Sequence, residues 1–336
     1  MRGWHAGIRE ACRMDEERIA NIQWFPGHMA RARRVLSENM RLVDVVVELV
    51  DARIPYSSRN PEIDRILSQK PRVMVANKKD LADSAVSGYW KGYYKNSGIP
   101  VLFTDCQRGS GVKEVTALLK TVMAEKTKRY EEKGRKTPVI RTMAVGIPNV
   151  GKSSFINRVA GKAAAVTGDK PGVTRNKQWL RMKDDIYLLD TPGLLWPKFE
   201  DQRCAYKLAC TGAIKDDVLD VTDIACFLLV FLLDYYPEAL AGRYRIACTE
   251  YERGAQECED DSTFLLRKAE TGAALLTACG RQRGCFMKGG AVDLYRAAGI
   301  VLDDFRAGKL GRISLDRAET VSQCGKGERT ASENDG

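Results

Sequence analysis

The strongest chemical signal in the sequence is Gly146-Ile147-Pro148-Asn149-Val150-Gly151-Lys152-Ser153, which fits the pattern Gly-x-x-x-x-Gly-Lys-Ser. A loop of this kind wraps phosphates with backbone N–H groups, and its glycines let the chain come close to them. Residues 139–145 read as a strand and residues 154–159 open a helix, which is the context the motif needs. The helix N-terminus adds positive partial charge. In this reading Asn149, Val150, Gly151, Lys152, Ser153 and Ser154 line the phosphates. Lys152 reaches the β- and γ-phosphates, and the Ser153 hydroxyl ligates Mg²⁺.

A second group of residues can read a base. Asn77-Lys78-Lys79-Asp80 follows a strand at 72–76. The Asp80 carboxylate can accept hydrogen bonds from guanine N1–H and the N2 amino group. Adenine lacks that pair of donors, so Asp80 favours GTP. Asn77 ties this turn to the phosphate loop, and the Lys78 stem covers the base. Asp105 and Cys106, after a strand at 99–103, fit a second base loop. Nucleotide-binding proteins of this type usually carry Ser-Ala-Lys there. With Cys106 in place of the serine, any contact to the base comes from backbone N–H groups.

Asp190-Thr191-Pro192-Gly193 matches Asp-x-x-Gly, with Asp190 on Mg²⁺ through water and the Gly193 N–H sensing the γ-phosphate. Thr174, between that segment and the phosphate loop, sits where a Mg²⁺-ligating threonine belongs. Leu194 and Leu195 follow Gly193, where many GTPases place a glutamine that orients the attacking water. Leucine cannot hydrogen-bond water, so either hydrolysis is slow or another group positions the water. His28, in Trp24-Phe25-Pro26-Gly27-His28, is one candidate; equally, it packs against Trp24.

The elements that must position these groups alternate between strand and helix. Strands at 43–50, 72–76, 99–103, 139–145 and 185–189, separated by helix-compatible stretches, imply an α/β fold with a mostly parallel sheet. The order of the motifs is rotated: the base readers precede the phosphate loop instead of following it. A circularly permuted P-loop GTPase domain accounts for this, since moving the chain ends to an exposed junction preserves a packed core. Beyond about residue 200 the pattern becomes helical, at 205–213, 218–233 and 292–305. The fold expected is thus the permuted GTPase domain over 21–200, with a basic linker at about 124–138, then a smaller all-α domain over 201–321. Residues 1–20 form an extension and 322–336 a frayed polar tail. Met14 is an alternative start.

Composition narrows the function classes. The chain has 336 residues and a formal net charge of +10, which is compatible with a polyanionic partner such as RNA. Arg31, Arg33 and Arg34 and basic tail residues are candidates for that contact, whereas the charged run at 126–136 reads as a solvated linker. The longest apolar run, 224–233, is half of what a bilayer crossing needs, about 20 residues. Ten cysteines without a Cys-x-x-Cys pair, and only two histidines, give little support to a zinc site and fit free thiols in a reducing cytoplasm. An ATP-using P-loop enzyme is a further reading, opposed by Asp80.

Together, residues 23–30, 51–55, 77–80, 148–154, 171–175 and 190–195 resemble the YlqF-type circularly permuted GTPases, the ribosome biogenesis GTPase A family, strongly over about 20–235 and poorly over 240–285. The resemblance implies a GTP-hydrolysing factor acting late in large-subunit assembly. It implies activation by the particle, release coupled to hydrolysis, and a helical tail that contacts RNA. It assigns water positioning to His28 and allows K⁺ stimulation through Asn149. The expected partners are the ribosomal RNA and proteins of the large-subunit precursor, with no membrane and a monomer off the ribosome. A GTP-dependent RNA clamp with negligible turnover is the alternative.

Overall fold

The computed structural model describes residues 27–67, 70–161, 179–182, 184–189, 202–216, 220–251, 264 and 266–318, with the side chains of residues 27–32 and 62 outside that description. The described chain divides into two units. One holds the described residues of 24–197 together with Asp316–Ala318, and the other those of 198–315. Residues 316–318, assigned to the helical domain from sequence, therefore group with the first unit.

The first unit opens with α1 (Gly27–Met40) and β1 (Val45–Asp51), followed by α2 (Pro61–Leu67), β2 (Arg72–Asn77), α3 (Ser84–Asn96) and β3 (Val101–Thr104). Next come α4 (Val112–Val122), α5 (Ala124–Glu131), β4 (Ile140–Gly146), α6 (Lys152–Ala160), β5 (Trp179–Arg181) and β6 (Ile186–Leu189). The strand order is β3-β2-β1-β4-β6-β5, and every neighbouring pair is parallel except β5 on β6. Helices cover a parallel sheet on both faces, so its strands can be apolar throughout. The sequence Val-Val-Val-Glu-Leu-Val-Asp of β1 is buried at all positions. Its one interior charge, Glu48, faces Arg59 and Arg72 at 3.4 and 3.3 Å. Burial nevertheless pushes the Glu48 carboxyl above its ordinary range.

Register matters for the site because it sets which residues end each strand together. Asp51 lies beside Asn77, Asn77 beside Thr104, and Leu49 beside Gly146. All four strands point their C-terminal ends to one edge, where ligands bind in open α/β sheets. Asp83 caps α3 by accepting the Ala85 N–H at 2.8 Å.

The second unit is helical: α7 (Gln202–Cys210), α8 (Val221–Tyr235), α9 (Pro237–Tyr244), a π-helical turn at Lys268–Gly272, α10 (Ala273–Gln282) and α11 (Leu294–Arg306). The apolar run lies within α8, which is buried on all sides as the centre of this unit. No single helix among the described residues is long and apolar enough to cross a membrane. The last helix starts two residues later than its periodicity predicts. Asp293 caps it by accepting the Arg296 N–H, and Val292 instead pairs with Phe286 in a short hairpin.

Candidate functional site

β4 delivers the phosphate loop. Ile147 and Val150 are buried and pin it, while Phe155 and Ile156 hold α6 against the sheet. Two glycines are forced by close approach. A Cβ on Gly146 would stand 2.6 Å from the Leu49 carbonyl oxygen. One on Gly151, whose φ is +92°, would stand 2.2 Å from Asn77 Nδ2. Asn149 also has a left-handed backbone, with φ 60°. The loop runs directly into α6, whose first turn holds the partly exposed Lys152, Ser153 and Ser154.

The base-reading turn reaches this loop directly. Asn77, at the end of β2, is 4 % exposed. Its Nδ2 donates to the Val150 carbonyl at 2.9 Å, and its Oδ1 accepts the Cys106 N–H at 3.0 Å. One side chain thus joins the phosphate loop, the base-reading turn and the second base loop. Lys78 holds a left-handed backbone, φ 66°. Its ammonium lies 3.0 Å from Asp51 Oδ2, and burial pulls the ammonium's pKa down despite that partner. Lys79 turns its ammonium to Ser110 Oγ at 2.7 Å. Asp80 is half-buried and close enough to Lys78 to act on it electrostatically.

The second base loop is built around Asp105. Its Oδ1 accepts the Gln107 and Arg108 N–H groups, each at 2.9 Å, and its carbonyl accepts the Gly109 N–H at 2.7 Å. With the Cys106 N–H on Asn77, the amides of 106–109 all donate within the protein. Through the Cys106 N–H the loop also holds Asn77 in place. Arg158 on α6 clamps it from the other side, with Nε on the Cys106 carbonyl at 3.1 Å and a second donor on the Gln107 carbonyl. Burial pushes the Cys106 thiol up to about 11.

Sequence reasoning did not find Arg158, nor the work of Asp51 and Arg53. Arg53 Nε and Nη2 bond both carboxylate oxygens of Asp51, at 3.0 and 2.8 Å, with both residues buried. Burial alone would raise the Asp51 carboxyl; Arg53 and Lys78 outweigh it and hold the carboxyl well below its ordinary range. An acid and a base two residues apart at a strand end were the available signal.

Thr174, Asp190, Gly193 and Leu194 lie outside the described residues. His28 falls in the first turn of α1, and its side chain is outside the description.

A family model described as 50S ribosome-binding GTPase matches residues 141–258. Ribosome biogenesis GTPase A of Priestia megaterium is 48% identical over 303 residues, 90% of this chain and 99% of that protein. The chain belongs to the ribosome biogenesis GTPase A family. Mitochondrial ribosome-associated GTPase 1 of Mus musculus is similar at 34% identity, over 90% of this chain and 92% of that one. The GNP-bound crystal structure of YlqF from Thermotoga maritima aligns with a TM-score of 0.56 at 26% identity, covering 85% of this chain and 98% of that chain.

The ribosome biogenesis GTPase A fold is the circularly permuted one expected from the motif order, followed by a helical region. The chain is a GTPase: it binds guanine nucleotide and hydrolyses GTP to GDP and phosphate.

Proposed function

We propose that this GTPase acts late in maturation of the large ribosomal subunit, with hydrolysis stimulated by the precursor particle and coupled to its own release. The observation that carries the reading is the junction at Asn77, which makes one pocket frame out of three loops distant in sequence. In that frame Asp80 reads guanine, Asn149, Val150, Gly151, Lys152 and Ser154 receive the phosphates, and the Gly193 N–H senses the terminal one. The hydroxyls of Ser153 and Thr174, with the carboxylate of Asp190 acting through water, would supply an all-oxygen donor set that fits Mg²⁺, which would neutralise phosphate charge. K⁺ at Asn149 would add to that neutralisation. His28 orients the attacking water, because Leu194 cannot.

Contact with the particle is supported by a surface on the helical unit. The hairpin 285–293 is anchored by buried Cys285, and α10 presses on it so closely that a Cβ on Gly280 would meet Val292 at 2.4 Å. Its tip and the start of α11 leave Phe286, Met287 and Tyr295 50%, 53% and 69% exposed beside exposed Lys288 and Arg296. Flat apolar rings among cations suit unstacked RNA bases and their phosphates. The names of the relatives support a ribosomal partner. Off the particle the chain is a monomer, in the cytoplasm.

Turnover with and without large-subunit precursors tests this reading. Stimulation by particles, lost in His28→Ala, is expected. Absent stimulation with unchanged turnover in His28→Ala overturns it. Leu194 favours one other reading, a GTP-dependent RNA clamp with negligible turnover, and the same assay would then show nucleotide-dependent particle binding without phosphate release.

A further inference from the structure

The loop that follows β1 is buried along most of its length, with Ala52, Arg53, Ile54, Ser57 and Ser58 almost wholly inside. A buried loop must find partners for its backbone polar groups. Much of that requirement is met by one residue far along the chain. Asp316 is 0% exposed, and its Oδ2 accepts the N–H groups of Tyr56 and Ser57 at 2.8 and 2.7 Å. Its Oδ1 accepts the Ser57 hydroxyl at 2.6 Å. The backbone of Asp316 is used as well. Its N–H points to the Arg53 carbonyl at 3.4 Å, and its carbonyl accepts Trp90 Nε1–H at 3.0 Å. Trp90 stacks on Tyr56, and Tyr94 donates its hydroxyl to the Pro55 carbonyl at 2.9 Å. The loop is therefore held in one conformation by α3 from one side and by Asp316 from within.

The other end of the same loop sets the base reader. Ser58 Oγ accepts the Asp51 N–H at 3.0 Å and donates to the Ile54 carbonyl at 2.6 Å. Arg53 fixes the Asp51 carboxylate in a two-point contact, and that carboxylate holds the Lys78 ammonium. Lys78 is the residue whose stem the motif reading lays over the base, and its left-handed backbone needs its surroundings to maintain it.

We propose that Asp316 is a positioning residue for guanine-nucleotide binding. By closing the loop 53–58 it fixes Arg53, Asp51 and hence Lys78, so that the base side of the pocket is preorganised before nucleotide arrives. The proposal rests on the assignment of Asn77–Asp80 as the base reader. It also gives a function to the three residues, 316–318, that rejoin this unit after the helical one.

The test uses the full-length chain and fluorescent GDP. Asp316→Asn keeps the shape but sets an amide where three donors converge, and Ser57→Ala removes only one of those donors. Expected are GDP dissociation about tenfold faster in Asp316→Asn and two- to threefold faster in Ser57→Ala, scaled to the bonds lost. Lys78→Ala is measured alone and combined with Asp316→Asn. If Asp316 acts through Lys78, the combined loss is much smaller than the product of the single ones. Wild-type GDP dissociation in Asp316→Asn and Ser57→Ala, with only a lower melting temperature, overturns the proposal. So do effects that simply multiply with Lys78→Ala. A normal Lys78→Ala single variant removes the reader assignment itself, and the proposal with it, whereas an impaired Lys78→Ala beside a normal Asp316→Asn removes the role of Asp316 alone.

Discussion

Asn77 Nδ2 lies 2.9 Å from the carbonyl oxygen of Val150, 73 residues further along the chain. The same amide group receives the Cys106 N–H through its oxygen. An asparagine is suited to this because it carries a donor and an acceptor on one short stem. Asn77→Ala leaves a buried carbonyl and a buried N–H without partners, at about 1–3 kcal/mol each. GDP affinity is expected to fall ten- to a hundredfold, read by equilibrium titration.

Gly151→Ala is expected to be more damaging still, for a steric reason. The new Cβ would stand 2.2 Å from Asn77 Nδ2, on a backbone at φ +92° that alanine avoids. Nucleotide binding should be lost beyond detection in the same titration. If Gly151→Ala retains wild-type affinity, the contact between the two loops is not the one described.

The Asp51–Arg53 pair predicts a pH dependence. The folded Asp51 carboxyl titrates below its ordinary value of 3.8. Its contribution to stability is therefore complete above that value and is lost as the pH falls below it. Asp51→Asn leaves Arg53 buried without its anion, which costs roughly 3–5 kcal/mol at neutral pH. The gap between wild type and variant in denaturant midpoints should narrow as the pH drops from 5 toward 3. A gap that stays constant contradicts the pairing.

Cys106 should be unreactive in the folded chain. Burial raises its thiol to about 11, so at pH 8 almost no thiolate is present, and the side chain is covered besides. Alkylation at pH 8 followed by peptide mapping should leave Cys106 unmodified until denaturant is added.

The hairpin surface predicts how particle binding responds to salt. Phe286→Ala and Tyr295→Ala should weaken binding to large-subunit precursors by about 1–3 kcal/mol per stacked base, with the salt dependence unchanged. Lys288→Ala should instead reduce the salt slope by about one. Sedimentation across a salt series separates the two.

Much of this frame was legible in the sequence because its signals are local. Strand runs such as Arg72–Asn77 and Ile140–Gly146 are short, apolar and rich in β-branched residues, and each ends at a motif with its own chemistry. The strand Trp179–Arg181 escaped because three residues on an antiparallel edge carry no readable alternation. Val292 was placed on a helix because its spacing fits one, but the Asp293 cap and the hairpin pairing won. Motif order pointed to a second base loop at Asp105 and Cys106, but it could not reveal that the short Asp105 carboxylate closes its own turn. Asp316 meets Tyr56 across 260 residues with no periodicity to announce it.

The central claim is that fragments in rotated order surround one guanine nucleotide. A crystal structure of the chain with a non-hydrolysable GTP analogue tests it most directly. The account predicts guanine N1 and N2 on the Asp80 carboxylate, and the phosphates on the amides of 151–153 with Lys152 beside them. A nucleotide bound with its base away from Asp80, or with its phosphates off the 146–153 loop, would contradict it.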